Sequence, residues 1–335
     1  MGKKSIVRKR SKYSGRKYKR YKKGYWKRYK RQRRFRYQRA IANIKQRLKA
    51  FPNPYETKKT ISPEIPGRKP VPPKTILTCV MFKEFFDLSY INTESFLRWI
   101  TQGHPYLIGN VPAANTIQEH VQDIPLRYLE EILKEILHIF ENSEVILVMD
   151  ATGLSTYQYG CWQTVRTASK KKKRKFVKLH ITLDLKSNLI LFGFSSKGWK
   201  NDYPFGIRMI DKLKGKFKRL GISVEEAIAD SAYRSRNMAT KIGNMGGTPQ
   251  IKIRSNDTAR KGGSKEWREM VLRQRDNPKE FKKSYCYRVV IEGIISALKH
   301  IFGPLIRSRK RHNQDVEVLT RLILWNYMHI EPEEF

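Results

Sequence analysis

Residues 144–150 read EVILVMD, a short aliphatic run with no polar side chain between Glu144 and Asp150. Strict alternation would leave one face for water. Continuous apolarity instead predicts a strand covered on both faces, which calls for a sheet with helices packed on either side. The run stops at Asp150, and the next segments suit such a sheet. FVKLHITLD, residues 176–184, alternates, with Val177, Leu179, Ile181 and Leu183 on one side and Lys178, His180, Thr182 and Asp184 on the other. KSN turns it back into LILFGFSS. A helical stretch around YPFGIRMIDKLKGKFKRLG then precedes the strand EEAIAD, which ends at Asp230. A short helix near RNMATKIG, the strand PQIKI and a helix beginning at SYCYRVVIEGIISALK complete the order. Strand, strand, strand, helix, strand, helix, strand, helix predicts an α/β fold with a mixed sheet and flanking helices over residues 143–330.

The rest of the 335 residues divides by composition. Residues 1–50 predict a basic, aromatic-rich arm: 23 of the first 55 residues are Lys or Arg, and no acid precedes Glu56. In KYKRYKKGYWKRYKRQRRFRYQR the cations alternate with Tyr, Trp and Phe, a mixture suited to neutralising phosphates and stacking on bases. A solvated tail is the plainer alternative. Residues 51–75 hold seven prolines and predict a stiff linker. Residues 76–142 predict a small helical domain, with TESFLRWI and IPLRYLEEILKEILHIF as its clearest stretches. GNVPAANTIQEHV between them suits either a helix-turn-helix element started by a cap at Asn115 or Thr116, or plain packing helices.

The formal net charge of +40 exceeds what solubility requires and points to a polyanionic partner, DNA before others. Cys79, Cys161 and Cys286 are odd in number and widely spaced, which argues against a disulfide framework and a thiolate zinc site. The seven histidines show no ligand spacing and read as structural. No apolar run approaches the roughly 18 residues of a membrane span, so a cytoplasmic protein is expected.

The candidate chemistry lies in three carboxylates. Asp150 and Asp230 end neighbouring strands, where open α/β sheets carry their functional groups. With Tyr285 at 0° on an ideal helix, Arg288 falls at about −60°, Glu292 at about −20° and Lys299 at about −40°. Val290, Ile291, Ile294, Ala297 and Leu298 occupy the opposite face, the one that packs on the sheet. Taken alone, the i, i+4 spacing of Arg288 and Glu292 reads first as a helical salt bridge. Joined to the two aspartates, Glu292 completes an oxygen cluster that suits Mg²⁺ or Mn²⁺, two ions of which support phosphodiester chemistry. Asp184 is the rival metal position, and Asp202 reads as the cap of the helix after it. The run Lys170, Lys171, Lys172, Lys173, Arg174 lies in the loop between the first two strands and reads as a DNA-backbone contact, or as a solvated loop.

The spacing of Tyr285, Arg288, Glu292 and Lys299 resembles the Tyr-Arg-Glu-Lys signature of the DDE transposases encoded by prokaryotic insertion sequences. VMDATGL and IADSAYRS resemble the blocks around that family's first and second aspartates, and the likeness covers roughly residues 145 to 330. It implies a ribonuclease H-like core, with Asp150, Asp230 and Glu292 holding two Mg²⁺ or Mn²⁺ ions. It also implies that Tyr285, Arg288 and Lys299 grip DNA beside the scissile bond, and that a homodimer assembles on the element ends. Only 61 residues separate Asp230 from Glu292, too few for the β-rich insertion of some members, and the basic arm is heavier than that pattern leads one to expect.

Overall fold

The structure is a computed structural model that describes residues 34–55, 70–103, 108–156, 176–260 and 263–332. Its centre is a five-stranded sheet of β1 (Glu144–Ser155), β2 (Phe176–Asp184), β3 (Ile190–Lys197), β4 (Ser223–Ala229) and β5 (Thr248–Ile251), in the order β3-β2-β1-β4-β5. β1 pairs antiparallel with β2 and parallel with β4, so the central strand is where the sheet changes direction. Val145, Leu147, Val148 and Met149 are all buried, as a strand covered on both faces requires. β1 does not stop at Asp150. It runs on to Ser155 against β2 alone, because the ladder with β4 ends at Met149 opposite Ala229.

The alternation in β2 does not mean a wet face, since every residue from Leu179 to Asp184 is buried. Asp184 is almost wholly enclosed, and its carboxylate accepts from Ser187 N–H at 2.7 Å, Ser187 Oγ at 2.8 Å and Ile146 N–H at 3.2 Å. It fastens the β2–β3 turn, where Asn188 takes the left-handed conformation at φ 63°.

Five helices precede the sheet among the described residues: α1 (Arg36–Ala50), α2 (Pro73–Phe85), α3 (Tyr90–Gly103), α4 (Ala114–His120) and α5 (Leu126–Glu135). α6 (Tyr203–Arg219), α7 (Arg236–Gly243), α8 (Lys265–Asp276), α9 (Pro278–Tyr285), α10 (Val289–Phe302) and α11 (Arg311–His329) are interleaved with the strands or come after them. α11 ties the two regions together: every residue from Val316 to Met328 is buried, and the helix packs on β3, α1, α2 and α5. The N-terminal helices therefore share one hydrophobic core with the sheet.

Two sequence boundaries shift accordingly. The arm expected over residues 1–50 includes α1, whose Ala40, Ile44 and Leu48 are buried, while Asn43 Nδ2 donates to the carbonyls of Tyr327 at 3.0 Å and Ile330 at 3.1 Å. The helical region over 76–142 starts earlier, at Pro73, and lacks a core of its own. The helix expected to open at Asn115 or Thr116 has Ala113 at its N-cap; its first amide, Ala114 N–H, is met instead by Glu94 Oε2 of α3 at 2.6 Å.

Four charged side chains, Lys83, Glu84, Glu317 and Arg321, are buried together between α2 and α11. Arg321 pairs with Glu84 at 3.0 Å and Glu317 at 2.6 Å, and also donates to the carbonyls of Gly303 at 3.1 Å and Leu305 at 3.0 Å. Buried charge is tolerable only when so fully paired. The pairing fixes the segment after α10, which turns at Gly303 (φ 78°) and bonds the end of β1 through Ile306 N–H to Ser155 O at 2.7 Å and Ser155 N–H to Pro304 O at 3.0 Å. No described helix is long and apolar enough to cross a membrane.

Candidate active site

Met149 and Ala229 form the last pair of the parallel β1–β4 ladder, and the next residue in each chain segment is an aspartate, Asp150 within β1 and Asp230 just past β4. Asp150 and Asp230 thus directly follow the two residues of that last pair. Each is steadied by the amide of the next residue: Asp150 Oδ1 accepts from Ala151 N–H at 2.8 Å, and Asp230 Oδ1 from Ser231 N–H at 2.6 Å, capping the 3₁₀ turn Ser231–Tyr233.

Glu292 comes from the first turn of α10, which lays Ile291, Ile294, Ile295, Leu298 and Phe302 into the core beside β1. The chain ahead of it is not one continuous α-helix. α9 ends at Tyr285, Cys286–Arg288 form a 3₁₀ turn, and α10 begins at Val289. The stripe drawn with ideal helical angles therefore applies only from Val289 onward, yet Arg288 still reaches Glu292. It reaches further as well: Arg288 Nη2 donates to Glu292 Oε1 while Nη1 meets Asp150 Oδ2 at 3.3 Å. One guanidinium bridges the strand carboxylate and the helix carboxylate.

Burial pushes the Asp150 carboxyl above the ordinary aspartate range. The Ala151 amide and Arg288 oppose that rise, and the charges of Asp230 and Glu292 add to it. Tyr285 is half-buried and stacked on Phe281 at 5.1 Å. Its phenol is raised first by burial, with Arg288 opposing and Asp230 and Asp150 adding to the shift. Ser284, just before it, donates to Glu226 of β4, whose other oxygen accepts from Gln250 Nε2 at 3.0 Å. Lys299 has no carboxylate partner among the described residues. Its ammonium donates to Thr152 Oγ1 at 2.6 Å, two residues beyond Asp150 on the same face, and burial lowers its pKa.

Thr152, Ser284 and Glu226 were not singled out from the sequence. Thr152 had a signal, since Asp-x-Thr on a strand puts both side chains on one face. The Ser284–Glu226 contact spans 58 positions and leaves no local trace. Asp184, the rival metal position, is committed to its turn. Asp202 does occupy the N-cap of α6 but makes no capping bond; its carboxylate accepts from Lys178 Nζ at 2.8 Å instead. Lys170, Lys171, Lys172, Lys173, Arg174 and Cys161 lie outside the described residues.

Among the described residues, no three His, Cys, Asp or Glu side chains converge closely enough to hold a metal ion. The donor chemistry nonetheless suits a hard dication: three carboxylates from three elements, with the Arg288 guanidinium between two of them. The sheet is mixed and five-stranded, with flanking helices, and an aspartate follows the last β1–β4 pair on each side. The chain belongs to the DDE transposase family: residues 141–327, more than half of its length, match the family described as Transposase DDE domain. No curated protein and no solved structure matches it. The family is catalytic, cutting and joining DNA strands in transposition, and typically uses divalent metal ions.

Proposed function

We propose that this chain is the transposase of a prokaryotic insertion sequence, of the group carrying the Tyr-Arg-Glu-Lys signature. It binds the element's terminal repeats as a homodimer assembled on DNA, cleaves phosphodiester bonds at the ends and transfers the 3′-hydroxyls to target DNA. What supports this reading is the family match over residues 141–327, together with the Arg288 guanidinium shared by Asp150 and Glu292 where the β1–β4 ladder that precedes Asp230 ends.

Asp150, Asp230 and Glu292 are the oxygen ligands. A pair of Mg²⁺ or Mn²⁺ ions held there would supply Lewis-acid activation of the attacking and leaving oxygens. The Ala151 and Ser231 amides steady the two aspartates, and Arg288 holds Glu292. Arg288 and Lys299 bind phosphate beside the scissile bond, Thr152 orienting the Lys299 ammonium. Tyr285 borders the same site and adds a hydroxyl donor. The basic residues before α1, together with Lys170–Arg174, add sequence-tolerant contacts to the DNA backbone.

A strand-transfer assay with the element's own ends tests the proposal. Joined products with target DNA support it. Cleavage without joining identifies a stand-alone nuclease, and binding without cleavage a non-catalytic descendant; either result overturns the proposal.

A further inference from the structure

Arg288 is the one cation that touches two members of the acidic triad among the described residues. It joins carboxylates from elements 142 positions apart in sequence, Asp150 of β1 and Glu292 of α10. We propose that Arg288 is the built-in counterion of the metal-free site, bridging Asp150 and Glu292 until a divalent cation replaces it, and that the released guanidinium then grips the DNA phosphate. This inference rests on the three-carboxylate reading given above.

Charge balance and guanidinium geometry support the exchange. Ionised carboxylates gathered on one face repel one another, and a single guanidinium supplies one positive charge where a dication supplies two. Arg288 therefore holds the cluster together without matching the ion that fits it. The planar fork can meet two carboxylates at once, which an ammonium does poorly, and it cannot shed its proton when displaced. It must find another anion, and the substrate brings phosphate.

The local structure also leaves Arg288 a way out. It closes a 3₁₀ turn with no buried residue, between Tyr287 at 52% and Val289 at 64% exposure, and the preceding α9 buries no side chain either. The guanidinium can swing toward solvent without unpacking the core, which α10 enters only from Ile291 onward. Lys299 is not equivalent, being held by Thr152 well along α10 and paired with no carboxylate among the described residues.

The exchange couples cation and DNA. DNA that captures Arg288 clears the carboxylates, and a cation that takes the carboxylates frees Arg288, so by linkage each raises the affinity of the other by the same factor. The test is Mn²⁺ titration of the full chain, with free Mn²⁺ read by electron paramagnetic resonance, with and without a short random-sequence duplex whose backbone is phosphorothioate-blocked against cleavage. Arg288→Gln is expected to bind Mn²⁺ about tenfold more tightly than the natural protein without DNA, and the enhancement by DNA to shrink by a similar factor. Arg288→Lys, whose ammonium pairs poorly with two carboxylates, should fall between the two and serves in place of Arg288→Gln if that variant does not fold. Unchanged or weaker Mn²⁺ binding in Arg288→Gln without DNA overturns the exchange while leaving the metal site standing. If the natural protein binds no Mn²⁺, or binds it regardless of Asp150→Asn and Glu292→Gln, the three-carboxylate reading fails and the exchange falls with it.

Discussion

Deleting residues 1–33 and deleting residues 1–50 should give very different proteins. The first removes 17 Lys and Arg and nothing of α1; the second removes α1 itself. α1 buries Ile44 and Leu48 at 2% and 4% exposure, and burying an aliphatic side chain of that size stabilises by about 1.5–3 kcal/mol. Asn43 and Arg39 also close the C-terminal end of α11, with Arg39 Nε donating to Met328 O at 3.0 Å, each such bond adding about 1 kcal/mol net. Losing α1 therefore costs on the order of 5–8 kcal/mol, comparable with the whole stability of an ordinary domain. Urea unfolding monitored by circular dichroism, alongside DNA affinity at several salt concentrations, reads both effects. Removing 1–33 should leave the urea midpoint in place and flatten the slope of log affinity against log salt by several units, at about 0.9 for each phosphate no longer neutralised. Removing 1–50 should lower the midpoint sharply or prevent folding. Equal midpoints for the two deletions would refute the packing account, and a full salt slope after removal of 1–33 would show that segment to be a solvated tail.

Three other outcomes are expected from the site and its surroundings. Burial raises the Asp150 pKa, so the stability this group contributes is present at low pH and lost as pH rises through its folded value. Asp150→Asn should therefore melt higher than the natural protein without divalent cation at neutral pH, with the gap narrowing toward acid; a variant that melts lower throughout contradicts this. His180, enclosed between Phe194 and Phe205 with Nε2 on Ser196 Oγ at 2.8 Å, has its pKa depressed by burial from 6.5 to about 4. Its contribution is present above 6.5 and lost as pH falls toward 4, up to about 3 kcal/mol, and melting curves of His180→Gln should lack that acid sensitivity. Lys299→Ala should lower cleavage at unchanged melting temperature, and Thr152→Val should do so in part. Lower stability with cleavage intact would make Lys299 a packing residue.

Much of the fold was legible in the order of its strands and helices, although the alternation of β2 hid that both of its faces are covered. EVILVMD required cover on both faces, and the strand and helix order matches the observed sheet from β1 to β5. What escaped was set by partners distant in sequence. β1 outruns Asp150 because β2 continues to pair after β4 has ended, so its length belongs to the ladder and not to its composition. α1 was hidden by charge: Ala40, Ile44 and Leu48 recur at i, i+4, but surrounding cations masked a face that the distant α11 buries. Glu94 caps a helix 20 residues away, and Asp184 spends its carboxylate on a turn, neither of which side-chain type reveals. The salt bridge read from the spacing of Arg288 and Glu292 does form, but its second arm to Asp150 depends on the sheet bringing β1 to that turn.

The central claim is that Asp150, Asp230 and Glu292 act as one metal-dependent cleavage site, and single substitutions test it most directly. Asp150→Asn, Asp230→Asn and Glu292→Gln would each be assayed for cleavage of the element's ends in Mg²⁺ and in Mn²⁺, with duplex affinity measured on the same preparations. Each variant should lose cleavage by orders of magnitude while binding DNA as the natural protein does. A variant that cleaves at the natural rate, or that loses binding in proportion to cleavage, would contradict the claim.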